Sequence, residues 1–261
     1  MEEKRNFDLL TLGQVLLRLS PPNNDRLVRG DTFVKQVGGA ELNVAVGVAL
    51  LGLRTGVISK LPSHDMGSFM KGKIRSYGVS DDFFMYDDSP SARVGIYYYE
   101  NGAYPRKPKV IYDRANSSFY SLKIDEIPEK AYTASRCFHT SGITLALSPK
   151  VRETTIEMIK RFKAAGTLVS FDVNFRGNLW TGEEAKECIE QILPYVDIFF
   201  CSEDTARLTF KKTGTAREMM KSFTEEYPIS IVASTQRIVH SPKSHTFGSI
   251  IYDARKDIYY E

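Results

Sequence analysis

Short apolar runs alternate with segments of helical periodicity along most of this chain, and that alternation limits the fold more than any single motif. Phe7–Gly13, Thr55–Leu61, Cys137–Ser141, Thr167–Val173, Val196–Cys201 and Ile229–Ala233 each read as a buried strand. Between them, Ala40–Leu50 carries small apolar residues and stops at Gly52. Lys150–Ala165 sets Val151, Thr155, Met158, Ile159 and Phe162 at helical spacing before Gly166. Gly182–Leu193 puts Ala185, Cys188, Ile189 and Ile192 on one face before Pro194. Strands alternating with helices of this length form βαβ units, which predicts an α/β, doubly wound, mostly parallel sheet with helices on both faces. With 261 residues, one large α/β domain spanning 1–261 is a better match than two full domains.

Two regions break the rhythm. Pro21–Val37 is polar and extended in character. Arg93–Glu100 and Lys109–Arg114 alternate aromatic and polar side chains, with Asn101-Gly102 near the turn, which predicts a hairpin in a small antiparallel sheet separate from the main one.

The charge balance, 35 Lys and Arg against 32 Asp and Glu, is mild and interspersed, so no basic stripe points to nucleic acid. No apolar stretch is long enough to span a membrane. The charged N-terminus leads into an apolar run too short for a signal peptide. Cys137, Cys188 and Cys201 form no close pairs, as expected of reduced thiols rather than disulfides or a zinc site. A cytoplasmic location is the expectation.

Four places could carry chemistry. Gly38-Gly39-Ala40-Glu41-Leu42-Asn43 opens a helix: paired glycines let the backbone approach a ligand and a helix start offers free N–H groups, although a tight turn feeding a packed helix accounts for the same residues equally well. No G-x-x-x-x-G-K-[ST] pattern occurs, so this is not a P-loop. Asp172-Val173-Asn174-Phe175-Arg176 lies at a strand end, where ligands bind in open parallel sheets, and its polar groups with the Arg176 cation suit an anion. Tyr97 and Tyr112-Asp113-Arg114 could line a sugar-sized cavity with a carboxylate partner, or form a tyrosine-rich solvent face or dimer contact. His139, at the end of another strand, is given no catalytic role, and His64, His240 and His245 have no metal-ligand spacing.

Taken together, these residues resemble the PfkB (ribokinase-like) carbohydrate kinases from about Phe7 to the last residue. Gly38–Asn43 with Val44-Ala45 and Leu51-Gly52 resembles the family's sugar-binding signature, and Asp65-Met66-Gly67 its next turn. Arg18-Leu19-Ser20-Pro21, Tyr112-Asp113-Arg114-Ala115, Ser141-Gly142-Ile143-Thr144, Asp172–Arg176 and Leu179-Trp180 resemble the 2-keto-3-deoxygluconate kinase branch. The resemblance implies a β-lid from about 14–37 and 92–114, and transfer of the γ-phosphoryl of ATP to a sugar hydroxyl with Mg2+. It also implies a homodimer through the lid.

By the same resemblance, Gly39, Ala40, Glu41, Leu42 and Asn43 hold the sugar, joined by Tyr97, Tyr112, Arg114 and Ile143, with Arg114 at the sugar-acid carboxylate. Asn174 and Arg176 lie where sugar acid and phosphates meet. Ser202-Glu203-Asp204 stands near Mg2+ and phosphates, and Thr235 and Arg237 are nucleotide candidates. Two departures are visible. Family members carry a G-A-G-D sequence whose Asp is the general base. None occurs here, so the base is expected beyond Glu261 and this chain is expected to be inactive or nearly so. The usual Lys-x-x-x-Gly segment is replaced by Ser234-Thr235-Gln236-Arg237, with a long polar loop expected up to Gly248 and a strand pair Gly248–Tyr252 and Asp257–Tyr260 after it. Beside this reading stand two others. One is a fructokinase or ribokinase, against which Arg114 and Arg176 argue, because neutral sugars need no such cations. The other is a non-catalytic sugar-acid-binding protein, which the missing base favours.

Overall fold

The structure, a computed structural model, describes residues 5–241 and 244–261. The chain opens with strand β1 (Phe7–Leu12), then β2 (Leu16–Ser20) and β3 (Val34–Gly38), helix α1 (Ala40–Leu50), β4 (Thr55–Pro62), α2 (Asp65–Ser76), and the short strands β5 (Val79–Ser80) and β6 (Phe84–Asp87). The hairpin strands β7 (Gly95–Glu100) and β8 (Lys109–Asp113) follow, then α3 (Lys130–Thr133), β9 (Ser135–Ser141), α4 (Gly142–Ala146), α5 (Pro149–Ala164) and β10 (Leu168–Asp172). The last part holds α6 (Gly182–Glu190), β11 (Ile198–Phe200), α7 (Glu203–Leu208), α8 (Ala216–Glu226), β12 (Ile231–Ser241), β13 (Ser244–Asp253) and β14 (Ile258–Tyr260).

The main sheet runs β14-β13-β12-β11-β10-β9-β1-β4-β5, with β6 on β4. Every pair from β12 to β5 is parallel, as the βαβ rhythm requires, and only β12–β13 and β13–β14 are antiparallel. Strand order reverses on either side of β1, which makes this a doubly wound sheet with its switch point at β1. The aromatic core between sheet and helices is built from Phe138, Phe162, Phe171, Phe199 and Phe223, with Phe138 and Phe162 stacked at 4.0 Å. Helix α8 covers the face of β12 that carries Val232. On the opposite face Ile251, Ile258 and Tyr260 stay exposed by 39, 43 and 47%.

Strand positions match the apolar runs closely, and three readings need amendment. The polar loop expected between Arg237 and Gly248 is a β-ribbon: β12 continues to Ser241 and pairs antiparallel with β13, Arg237 facing Phe247. Thr235, Ile238 and Val239 are β-branched and the ladder satisfies their backbone, so side-chain polarity was a poor guide to conformation there. Helix α6 ends at Glu190 and hands over to a 3-10 turn, Leu193–Tyr195, because Pro194 cannot continue an α-helical ladder. The small sheet has order β3-β2-β7-β8, and its middle pair, β2–β7, is parallel rather than antiparallel. Its root packs on a second core of Val15, Leu17, Val37, Leu42, Val57 and Val94.

Candidate active site at the strand ends

The carboxyl ends of β1 and β9, the start of α1 and the small sheet meet at one place. Gly39, with φ of 150°, turns the chain from β3 into α1, and a methyl group on it would stand 2.7 Å from the Gln14 carbonyl oxygen. Both facts restrict the position to glycine. In the next turn Glu41 is buried, and its Oε1 accepts hydrogen bonds from Ser141 Oγ at 2.5 Å and Thr144 Oγ1 at 2.8 Å. A methyl group on Gly13 would meet Glu41 Oε2 at 2.1 Å, so the bare backbone after β1 makes room for this carboxylate. Burial pushes the Glu41 carboxyl above its ordinary range, against the two hydroxyls and the Arg114 cation that favour ionisation.

The small sheet presents Tyr97 and Tyr112 as cross-strand partners with ring centroids 5.9 Å apart. The Tyr97 hydroxyl hangs over the glycine turn, 2.8 Å from where a methyl on Gly38 would be. Burial raises Tyr97 above the ordinary phenol range. Arg114, just past β8, lies 5.6 Å from the Tyr112 ring centre and donates Nε–H to Gln14 Oε1 at 2.7 Å. Its two Nη groups have no hydrogen-bond partner among the described residues. Burial draws its pKa down, while Tyr120, Glu41 and Tyr112 oppose the shift and the Arg176 cation adds to it. A guanidinium remains charged under such pressure.

Of the other sugar-side candidates, Ile143 is buried and donates its N–H to Ser141 Oγ at 3.2 Å, so it adjoins the Glu41 cluster. Ala40 packs against the main core. The Leu42 side chain is buried in the core beneath the small sheet, which leaves only its backbone for a ligand. Asn43 is exposed and donates its N–H to the Gly39 carbonyl at 2.9 Å.

A cleft of about 450 Å³ opens beyond the ends of β10 and β11, beside Ala233 and Thr235 of β12. Asp172, Asn174, Arg176, Ser202, Asp204 and Thr235 line it. The local sequence explains the shape. Asp172 Oδ1 accepts the Asn174 N–H at 2.9 Å, and Asn174 takes φ of 36°, a region asparagine tolerates, so the chain leaves the sheet sharply and carries Arg176 out over the opening. Burial raises Asp172 to about 6; the Asn174 N–H lowers it, the Glu41 carboxylate raises it further and Arg176 lowers it. Ser202 caps α7, its Oγ accepting from Thr205 N–H at 3.2 Å.

Two nucleotide candidates do not line this cleft. Glu203 accepts from Arg207 Nη2 at 2.8 Å, and Arg237 sits out on the β12–β13 ribbon, over Phe247 and beside His245. His139 is a buried neutral residue held to Ser170 Oγ at 2.9 Å, with its pKa pressed by burial to about 4. One residue that sequence reasoning passed over is Gln14, which bonds Arg114 twice. Its signal was a single amide between Leu12-Gly13 and Val15-Leu16-Leu17, a polar group in a stretch the fold buries.

Comparison with known proteins puts this geometry in context. A 2-dehydro-3-deoxygluconokinase from Thermotoga maritima superposes with a TM-score of 0.90 at 30% identity, over 97% of this chain and 78% of that one. The chain is 34% identical over 229 residues to a 2-dehydro-3-deoxygalactonokinase of Haloferax volcanii, covering 88% of this chain and 71% of the relative. It is 30% identical over 197 residues to a 2-dehydro-3-deoxygluconokinase of Bacillus subtilis, covering 74% and 60%. The pfkB family carbohydrate kinase model matches residues 6–236, and with a ribokinase-like sheet, a small sheet over the strand ends and sites at the switch point, the chain belongs to that family of carbohydrate kinases.

Proposed function

We propose that the protein phosphorylates a 2-keto-3-deoxy sugar acid with ATP. The observation that carries this reading is Arg114: a largely desolvated guanidinium whose Nη groups face no partner among the described residues, beside Tyr97, Tyr112 and the Gly38-Gly39 turn. A neutral sugar offers such a cation acceptors but no opposite charge, whereas a planar carboxylate takes it in two parallel charge-assisted hydrogen bonds. The names of the Haloferax and Bacillus relatives support the same substrate class.

Glu41, fixed by Ser141 and Thr144, is suited to orienting sugar hydroxyls, with backbone groups of Gly39 to Asn43 at the helix start and Ile143 along the wall. The ATP phosphates belong in the cleft of Asn174, Arg176, Ser202 and Thr235, where Arg176 offsets charge on the transferring group. Mg2+ keeps several waters and needs only one or two carboxylates beside phosphate oxygens, and Asp172 and Asp204 both line the cleft, so the residues suit it. Bound there it would neutralise charge on the phosphates. The sequence contains no G-A-G-D, so no general base is assigned. The small sheet leaves Phe33, Val34, Val110 and Ile111 40 to 47% exposed, and a second copy covering them would make a dimer through the lid.

The test is to measure binding and ATP-coupled turnover of 2-keto-3-deoxygluconate, 2-keto-3-deoxygalactonate, fructose and ribose. Preference for either acid is expected, and preference for fructose would sink the assignment. Turnover of either acid by a sample whose mass matches this sequence would put the proton acceptor within it.

A further inference from the structure

Gln14 sits on the crossing from the main sheet to the small one, between β1 and β2, and it is 2% exposed. Its amide is fully committed. Nε2 donates to the Arg114 carbonyl at 3.0 Å and to Ser117 Oγ at 2.6 Å, and Oε1 accepts from Arg114 Nε at 2.7 Å. The two bonds to Arg114 hold both its main chain and its side chain, so they fix where the residue starts and which way the guanidinium edge turns. Nε is the nitrogen they consume, and the two Nη groups, an edge that can take a carboxylate in two parallel hydrogen bonds, stay open.

The surroundings leave this amide no other place. Gly95 would put a methyl group 2.8 Å from Gln14 Nε2, and Gly39 one 2.7 Å from the Gln14 carbonyl oxygen. The same backbone segment therefore spaces the glycine turn at the start of α1 and holds the lid arginine above it.

We infer that Gln14 is the positioning residue that sets specificity for the acid: its amide aims the Arg114 guanidinium at the substrate carboxylate and ties that aim to the Gly38-Gly39 turn. This rests on the reading that Arg114 receives a carboxylate. Gln14 touches no substrate itself and acts through Arg114. A glutamate in its place would keep the bond to Nε, lose the donation to the Arg114 carbonyl, and bring a negative charge that competes for the same cation. A methionine would keep the volume and remove all three bonds of the amide.

Calorimetric titration of the whole chain with 2-keto-3-deoxygluconate, and with its uncharged methyl ester, separates the possibilities. Affinity of Gln14→Met for the acid is expected to fall about 10- to 100-fold, by analogy with the loss of partners that orient metal ligands. Its affinity for the ester should not change. Gln14→Glu should lose acid affinity in the same direction and melt below the parent, because nothing then donates to the Arg114 carbonyl. In the Arg114→Ala background, Gln14→Met should cost nothing further, since residues acting through one another are not additive. Equal losses for acid and ester, additive losses in the double variant, or a Gln14→Glu protein that binds acid normally would each overturn the assignment to Gln14. If Gln14→Met does not fold, the Gln14→Glu titration decides alone. A parent protein with no preference for acid over ester would instead overturn the substrate reading, and the Gln14 inference with it.

Discussion

The Glu41 cluster and the cleft beyond β10 and β11, the proposed sugar and phosphate sides, treat polar groups in opposite ways. Around Glu41 the groups are buried and already paired: two hydroxyls on one carboxylate oxygen, and the amide of Gln14 on Arg114. In the cleft, Arg176, Asp204 and Thr235 stand exposed, and Arg176 Nη1 does no more than donate to the Phe175 carbonyl beside it. The first arrangement is preorganised, with its ordering cost met when the chain folds. The second is left to be ordered by whatever binds. The difference suits the proposed function, in which one side tells a small acid from similar sugars and the other holds a mobile polyanion.

The largest expected effect tests the preorganised side. Arg114→Ala should cost about 2–5 kcal/mol in binding of the sugar acid, the range for removing one partner of a desolvated charge pair. Titration of acid and methyl ester should show the loss for the acid alone. A loss near zero would mean that Arg114 is solvated and that the two regions do not differ as described.

Asp172 stands where the regions touch, because Glu41 and Arg176 both act on it. Its folded pKa is raised to about 6 from 3.8. Between these values the folded protein holds a proton that the unfolded chain has released. Stability therefore falls as pH rises through this window, by up to about 3 kcal/mol, and the loss is complete above it. Asp172→Asn removes the titration while keeping an oxygen for the Asn174 N–H. Denaturant unfolding should show the variant gaining on the parent between pH 4 and 7 and no further change above. A constant difference across that range would mean that the carboxyl titrates alike in the folded and unfolded chain, its pKa not raised.

Thr144→Val deletes one of the two hydroxyls on Glu41 at nearly constant volume. The expected cost is about 1.5–3 kcal/mol of folding stability, the value of a hydrogen bond to a charged group. In the cleft, Ser202→Ala removes a helix cap and a bond to the Thr205 hydroxyl, and should cost about 1 kcal/mol of folding stability. Thermal unfolding of the two variants side by side measures the contrast directly, and equal losses would erase it.

Much of this was legible in the sequence. The period of the apolar runs located β1, β4, β9 and β10 to within two residues, because a strand buried in a parallel sheet has to be apolar for most of its length. Glu41, Tyr97, Tyr112 and Arg114 were identified as candidates, but their assembly around one point depends on register, which pairs Tyr97 with Tyr112 and brings Gly38 under Tyr97. Ile229–Ala233 and Gly248–Tyr252 read as strand, but the outer part of the β12–β13 ribbon between Arg237 and Gly248 reads as loop, because its side chains are mostly polar and backbone pairing leaves no periodic apolar trace. Gln14 escaped notice because a single amide has no spacing to recognise, and its partner lies a hundred residues away in sequence.

Arg237 gives the smallest effect and the finest test. Its guanidinium lies 5.4 Å from the Phe247 ring centre and within 3.4 Å of His245 Nδ1, all on exposed ribbon. A cation over a ring at such a site contributes about 0.5–1 kcal/mol. Arg237→Ala should therefore lower the melting temperature only slightly. The cleft is lined as far as Thr235 and not by Arg237, so ATP affinity should stay within about twofold of the parent, well inside the effect expected for a charged phosphate contact. A tenfold loss of ATP affinity with the fold intact would mean that the ribbon bends over the cleft when nucleotide binds. The phosphate side would then be as closely built as the sugar side, only built later, by the ligand rather than by folding.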